Sequence, residues 1–108
     1  MITLKQHKRG DTFSFITTFN DSQGQPMIGI VSKLKCQVRD SKNILVCEMT
    51  IQETATAGEY LFSVPASITK DWHLEILYLD IEYKDNDIVT SSETMSFRVI
   101  RDITREEV

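Results

Sequence analysis

The chain has 108 residues, a formal net charge of −4 and a hydrophobic fraction of 41%. This length and composition are typical of one globular domain, so we expect a single domain over residues 1–108. The 12 basic residues are dispersed among 16 acidic ones, which excludes a positive surface for nucleic acid. No apolar run approaches the roughly 20 residues that cross a bilayer, and residues 1–5 do not open a signal peptide. We therefore expect no membrane insertion, and folding in the cytoplasm.

The first strong pattern is a strand over residues 12–19. Phe13, Phe15 and Phe19 share one face of this run and polar residues occupy the other, which is a period of two. Residues 21–26 then combine aspartate, glycine and proline, which favour a turn because they supply special backbone angles and local hydrogen bonds. The pattern predicts that the chain reverses or crosses there.

Residues 33–39 and 45–51 alternate in the same way and predict a hairpin. A two-residue turn at residues 41–42 would set Cys36 directly opposite Cys47, where the thiols can oxidise. Two cysteines are too few for a disulfide scaffold, and these two lack the close spacing of a zinc knuckle. Because cytosolic thiols stay reduced, we predict that both are free, with a bridge as the alternative.

Three more alternating runs complete the long strands, at residues 60–64, 77–83 and 95–99. The first of them stops at Pro65, which cannot donate a hydrogen bond to a strand ladder. Residues 66–71 follow and predict one short helical turn, since proline and serine are both favoured near the start of a helix.

The connection after residue 83 has two possible registers. A two-residue turn at residues 86–87 places Tyr83 beside Thr90, although residues that face each other in a hairpin share one face of the sheet. A three-residue loop at residues 85–87 instead places Tyr83 beside Val89 and keeps apolar side chains together. We predict the three-residue loop.

The pattern as a whole predicts an all-β fold. About seven strands are separated by turn signals at nearly regular intervals, with one short helical turn and no alternation of strands with helices. This is the signature of a two-sheet antiparallel β-sandwich or a small barrel. In the preferred register Leu77 faces Met95 and Glu93 is a misfit, so we expect a bulge or an edge near Glu93.

The sequence predicts no catalytic, metal or cofactor site. His7 and His73 each stand alone, whereas a zinc site needs several convergent ligands. Asp80 and Glu82 fall opposite the apolar face of their strand, which is typical of a solvated surface rather than of a calcium site. The acids at residues 106–107 are adjacent, a spacing that argues against a pair of glycosidase carboxylates.

Three further features have a structural interpretation. Residues 9–11 read Arg-Gly-Asp, a tripeptide that integrins bind, but so short a motif recurs by chance and we interpret it as a turn. The serines and threonines of residues 90–94 lack the motifs of a nucleophile and are expected on a strand surface. Trp72, the only tryptophan, is predicted to pack over one end of the core. An exposed Trp72 beside Tyr78 would instead offer a platform for a sugar or a peptide.

The segments that carry a family likeness span nearly the whole chain: residues 8–13, Asp21, Gly24, Pro26, 57–58, Tyr60, Trp72, 77–83, 92–94 and 102–104. In their order and spacing they resemble small phage and prophage proteins with an immunoglobulin-like sandwich, which are encoded among tail and virion genes. A more distant resemblance is to the N-terminal domains of phage baseplate upper proteins. The resemblance brings no catalytic residues.

The resemblance implies a non-enzymatic structural or interaction module, expected as a virion or tail accessory protein. Its expected partners are phage structural proteins and, through a sheet edge, a second copy of itself. Its expected location is the virion, or the bacterial cytoplasm during assembly. The alternative is a carbohydrate-binding or adhesin-like module at the host surface, which would need exposed aromatic side chains.

Overall fold

The structure, a computed structural model, describes residues 2–3 and 6–104. Besides a 3-10 turn at Val31–Lys33 and a one-turn helix α1 at Ala66–Thr69, these residues form ten strands. The strands are β1 (Ile2–Thr3), β2 (His7–Lys8), β3 (Phe13–Thr18), β4 (Leu34–Arg39), β5 (Leu45–Glu48), β6 (Thr50–Glu53), β7 (Glu59–Val64), β8 (Ile76–Asp85), β9 (Ile88–Ser91) and β10 (Met95–Ile100). The predicted all-β fold is confirmed.

The strands form two sheets. The larger has the order β1-β10-β8-β4-β5, with β2 added to β10 and β9 added to β8, and the smaller has the order β3-β7-β6. Strands β1 and β2 run parallel to β10, and the other pairs among the described strands are antiparallel. The chain crosses from the larger sheet to the smaller at Met49, between β5 and β6. Because β1 and β2 have two residues each, they are too short to show an alternation in the sequence.

The core contains side chains from both sheets, and aromatic rings fill much of it. Phe13 of β3 stacks on Phe97 of β10 with ring centroids 4.5 Å apart, which joins the smaller sheet to the larger. Phe15 stacks on Phe62 of the neighbouring strand at 5.0 Å. Full burial of one such side chain contributes about 1.5–3 kcal/mol, so these rings dominate the packing.

Tyr60 fixes the long connection between β3 and β4. Its ring is fully buried, and its hydroxyl donates to the carbonyl oxygen of Met27 at 2.7 Å. At the start of the same strand Gly58 has a φ of +78°, and a Cβ there would lie 2.8 Å from Cβ of Pro26. The close approach and the positive φ both require glycine at this position.

The predicted turns at residues 21–26 and 66–71 are confirmed. Asp21 Oδ1 accepts the backbone N–H groups of Gln23 and Gln25, both at 2.9 Å, which closes the first turn. Strand β7 ends before Pro65, and α1 follows it directly. Within α1 the buried Thr69 donates its hydroxyl to the carbonyl oxygen of Asp11 at 2.7 Å, so the helical turn is tied to the entry of β3.

The register predicted for the β4–β5 hairpin is wrong. The loop has three residues, 41–43, because Asn43 takes a left-handed φ of 64° and Asp40 Oδ1 accepts the N–H groups of Lys42 and Ile44 at 2.9 Å. A shift between Val38 and Arg39 then sets Val38 opposite Cys47. Cys36 therefore does not face Cys47, and both cysteines are free thiols.

The register predicted for the β8–β9 hairpin is also wrong. The loop has two residues, 86–87, and Tyr83 faces Thr90, which is the pairing that the rule of shared faces disfavours. The rule fails here because every residue of β9 is exposed, so neither face of this strand is buried. Placing a polar side chain and an apolar one on the same face therefore costs little. Toward β10 Leu77 faces Phe97 rather than Met95.

The irregularity predicted near Glu93 is confirmed. Ser92 still pairs with Ile81, through backbone and side-chain hydrogen bonds of 2.8 Å, whereas Met95 pairs with Leu79. One extra residue therefore lies in the chain between Ser92 and Met95, and the ladder is interrupted between β9 and β10. In the part of the chain that the structure describes, no helix is long and apolar enough to span a membrane.

Candidate functional site

Trp72 lies at one end of the core, as predicted. Only 3% of it is exposed, and its ring packs at centroid distances of 5.7–5.8 Å against His7, Phe13 and Phe97. His7 is held in place because its Nε2 forms a 2.9 Å hydrogen bond with the carbonyl oxygen of Asp11. The indole is therefore part of the core, and the exposed platform required by the carbohydrate-binding alternative is not formed by Trp72.

One polar atom of this cluster has only a weak partner. Trp72 Nε1 is buried and forms no hydrogen bond of ordinary geometry with any described residue. Burial raises the pKa of the nearby Cys47 thiol, and a side-chain hydrogen bond with Trp72 opposes part of that rise. The indole N–H therefore interacts with the Cys47 sulfur, which is a weak acceptor.

The second cysteine is chemically inert. Burial raises the pKa of the Cys36 thiol to about 12, and the negative charges of Asp80 and Cys47 act in the same direction. Its Sγ donates to Met49 Sδ at 3.6 Å inside the core. Since only the thiolate is a good nucleophile or metal ligand, Cys36 is a packing residue.

The acidic residues of β8 lie on the outer face of the larger sheet, as predicted. Asp80 faces Gln37 and Glu82 faces Lys35 across the β4–β8 ladder. Nearby, Lys35 forms an exposed 3.8 Å ion pair with Glu48, which is worth little in water. Among the described residues no group of three or more His, Cys, Asp or Glu side chains could hold a metal ion. The acids at 106–107 lie outside the described residues.

The two short motifs have structural roles here. Gly10 has a φ of +94° in the turn that joins β2 to the approach of β3, where glycine is the favoured residue. Arg9 donates its N–H to the carbonyl oxygen of Ile100 at 2.9 Å, and Asp11 closes the turn on Lys8. In residues 90–94, Ser92 Oγ accepts the N–H of Ile81 at 2.8 Å, which places its hydroxyl in the ladder.

The β8–β9 hairpin offers a free sheet edge. Strand β9 pairs with β8 on one side only, and none of its residues is buried. Its two apolar residues, Ile88 and Val89, are 72% and 53% exposed. Because Ser92 N–H bonds back to Ile81, the alternation of an antiparallel ladder turns the N–H and C=O groups of Val89 and Ser91 away from β8.

A groove of about 410 Å³ lies beside Trp72, between the β4–β5 hairpin and the segment that leads from α1 into β8. We call it the Trp72 groove. Its lining includes the exposed side chains of Ile44, Leu45 and Ile68. The sequence did not predict this groove, since residues 40–46 and 67–77 meet only in the folded chain. The one available signal was the pair of apolar residues directly after the polar loop.

Carboxylates stand around the Trp72 groove. Asp40, Asp71 and Glu75 all line it. Asp40 is engaged in its own loop, where it accepts the N–H groups of Lys42 and Ile44. The side chains of Asp71 and Glu75 form no hydrogen bond or ion pair with any residue that the structure describes, and no lysine or arginine is among the described lining residues. The groove is therefore lined both by exposed apolar side chains and by carboxylates.

Two surfaces of the described residues are open to a binding partner. The Cys36 thiol is protonated in the core, His7 packs against Phe13, and His73 lines the Trp72 groove. What remains exposed and unpaired is a strand edge and an apolar groove, which are features of recognition surfaces. Comparison with protein-family models and with curated proteins found no match.

Proposed function

We propose that this chain is a non-enzymatic structural or interaction module of phage or prophage origin, and that it acts as a virion or tail accessory protein. Its partners would be phage structural proteins, and a second copy of the chain could use the same edge. The observation that carries the proposal is the free edge of β9, which projects from the larger sheet with both of its apolar residues exposed.

The edge of β9 is suited to pairing with another chain. Natural edge strands are usually protected by lysine, proline, a bulge or a covering segment. The residues of β9 are Ile88, Val89, Thr90 and Ser91, which include no charge and no proline, and nothing described covers them. An added strand would gain backbone hydrogen bonds from Val89 and Ser91 and would cover apolar surface at the same time.

The molecule is also longer than a compact domain of its size. The radius of gyration is 15.0 Å, and the extents are 47 × 31 × 20 Å. A compact domain of this length is expected to have a radius near ~13 Å. The β8–β9 hairpin is exposed, and such a hairpin can reach a neighbouring subunit while the core stays folded.

Strand order supports an immunoglobulin-like sandwich of about seven strands as the underlying fold. The smaller sheet, β3-β7-β6, has the arrangement of strands B, E and D of that fold, and β10-β8-β4-β5 has that of G, F, C and C′. This assignment takes β1 and β2 as an A′ strand beside G, and β9 as an addition to F. Folds of this class serve as rigid platforms for loops and edges in many binding proteins.

The test of the phage role is proteomic. Particles are purified from the source strain after prophage induction, and their proteins are identified by mass spectrometry. The chain should be present at a fixed ratio to a tail or baseplate protein. Its absence from particles, together with no tail protein recovered by an affinity-tagged copy from the same lysate, would overturn the proposal.

A matched pair of variants tests the edge itself. Val89→Pro removes an N–H that points away from β8, so it blocks an added strand and leaves the β8–β9 ladder intact. Val89→Thr keeps the donor and the strand propensity and is the control. Incorporation into particles should be lost in Val89→Pro and kept in Val89→Thr. Equal incorporation of both variants would rule out pairing through β9.

A further inference from the structure

The Trp72 groove has the two halves of a recognition site for a charged peptide segment. Part of its lining is apolar and open to solvent, since Ile44, Leu45 and Ile68 all line it and are all exposed. Three such side chains on one concave surface form a patch that an apolar side chain of a partner would cover. The volume of about 410 Å³ is enough for two or three side chains of a partner. Because the groove is open to solvent, an extended chain can enter it.

The carboxylates that line the Trp72 groove favour an occupant of positive charge. Asp71 and Glu75 line it without any hydrogen bond or ion pair to a described residue. Asp40 adds a third carboxylate, and no described lining residue is lysine or arginine. These carboxylates attract a cation, and they repel an acidic peptide or a nucleic acid.

Trp72 connects the groove to the core. It lines the groove, yet only 3% of it is exposed, and its side chain interacts with the Cys47 thiol, which does not line the groove. A ligand in the groove would therefore change the surroundings of a buried ring.

We propose that the Trp72 groove binds a short segment of a partner protein in which arginine or lysine stands next to an apolar residue. The apolar side chain packs against Ile44 and Ile68, and the cation lies between Asp71 and Glu75. This proposal does not rest on the phage role or on the β9 edge. Leu77 of β8 lines the groove, whereas Asp85 at the end of β8 pairs with β9. The geometry of a strand separates these two residues by about 26 Å.

The test uses three peptides with one apolar frame and different charge: Ac-Leu-Arg-Leu-NH₂, Ac-Leu-Gln-Leu-NH₂ and Ac-Leu-Glu-Leu-NH₂. Each is titrated into the ¹⁵N-labelled full chain, and amide and indole chemical shifts are followed by NMR. Trp72 is the only tryptophan, so its indole resonance is an unambiguous reporter. The arginine peptide should give saturable shifts at Trp72, Ile44 and Ile68, with an affinity about tenfold above that of the glutamate peptide.

Charge variants locate the binding. Asp71→Asn with Glu75→Gln should weaken the arginine peptide about five- to tenfold, because two exposed ion pairs are lost. The matched control is Asp80→Asn with Glu82→Gln, which makes the same change of net charge on the outer face of β8. The control should change the affinity less than about twofold. Circular dichroism and thermal melting confirm that both double variants stay folded.

A third variant addresses the apolar half. Ile68→Ser should weaken the arginine and glutamine peptides by a similar factor, since both have the same leucines. Three results would each overturn the proposal: no saturable shift at Trp72 up to ~10 mM arginine peptide, which is the limit of a weak specific site; equal affinity for the arginine and glutamate peptides; or equal weakening in the groove variant and the outer-face control.

Discussion

The two halves of β8 belong to different regions of the molecule. From Ile76 to Ile81 the strand pairs with β10 up to Leu79 and with β4 from Tyr78 onward, and Leu77, Leu79 and Ile81 are buried. Beyond Ile81 no residue of β8 or β9 is buried. The first half is part of the core. The second half keeps its pairing with β4 at Glu82 and Tyr83, and Tyr83 packs against the edge of the core, but it ends in an exposed hairpin with β9.

The comparison shows when the alternation of side chains determines register. In the buried half a slip of one residue would expose Leu79 and bury charged neighbours, which is costly. In the exposed half the same slip exposes nothing that was buried, so the loop at residues 86–87 decides the pairing. A strand edge in solvent is therefore free to be used for binding, whereas the buried half is committed to stability.

The largest expected difference between the two regions comes from truncating an apolar side chain in each. Phe97→Ala should lower the free energy of unfolding by about 3–5 kcal/mol, because it opens a cavity beneath Phe13 and Trp72. Ile88→Ala should change it by less than about 0.5 kcal/mol, because Ile88 is exposed. Urea unfolding followed by Trp72 fluorescence measures both. A loss above about 2 kcal/mol in Ile88→Ala would show that the hairpin is packed.

Two glycines with nearly equal backbone angles sharpen the comparison between packed and open positions. Gly58 has a φ of +78° and would place a Cβ 2.8 Å from Pro26, whereas Gly24 has a φ of +79° with no atom within 4 Å of that position. Gly24→Ala should cost about 1–2 kcal/mol for the left-handed backbone alone. Gly58→Ala should cost more by at least ~1 kcal/mol, since packing strain adds to it. Equal losses in the two unfolding curves would contradict the close approach at Gly58.

The buried thiol predicts a pH dependence that arises in the core. The pKa of Cys36 is raised from 9.0 to about 12 in the folded chain, so the stability it contributes is full below pH 9 and is lost as the pH rises toward 12. Between pH 8 and pH 10 the loss should be about 1–2 kcal/mol relative to Cys36→Ala. Urea midpoints of both proteins at the two pH values measure it. Identical pH profiles would show that Cys36 is solvated.

The smallest effect is expected for the ion pair between Lys33 and Asp85 at the exposed hairpin. Lys33 Nζ lies 3.1 Å from Asp85 Oδ1, and this hydrogen bond and charge raise the pKa of Lys33. Both side chains are well exposed, so Asp85→Asn should leave the thermal midpoint of unfolding unchanged within error. A clear fall of the midpoint would indicate that the hairpin is anchored to the core.

The sequence predicted the parts of the fold that burial controls. The strands that contain Phe13, Cys36, Phe62, Leu79 and Phe97 follow from their alternation, because each must turn one face inward. Both hairpin loops were predicted with the wrong length, since loop geometry depends on single residues. Asn43 and Asn86 adopt left-handed φ values of 64° and 57°, and these place three residues in one loop and two in the other.

The candidate surfaces were less accessible to prediction. That Trp72 packs on the core follows from its size and position, but the groove beside it needs residues 40–46 and 67–77 to meet. The carboxylates Asp71 and Glu75 look like any other surface acids in the sequence. That they have no partner among the described residues becomes visible only when the fold is known.

Amide hydrogen exchange of the dilute full chain tests the central claim most directly, since it compares the buried half of β8 with β9, the strand beside the exposed half. The amide of Leu79 should be protected at least about a thousandfold, as expected for the centre of a stable sheet. The amides of Val89 and Ser91, which point away from β8, should exchange within about tenfold of the unprotected rate. Protection of Val89 and Ser91 equal to that of Leu79 at the lowest protein concentration would contradict a free edge at β9.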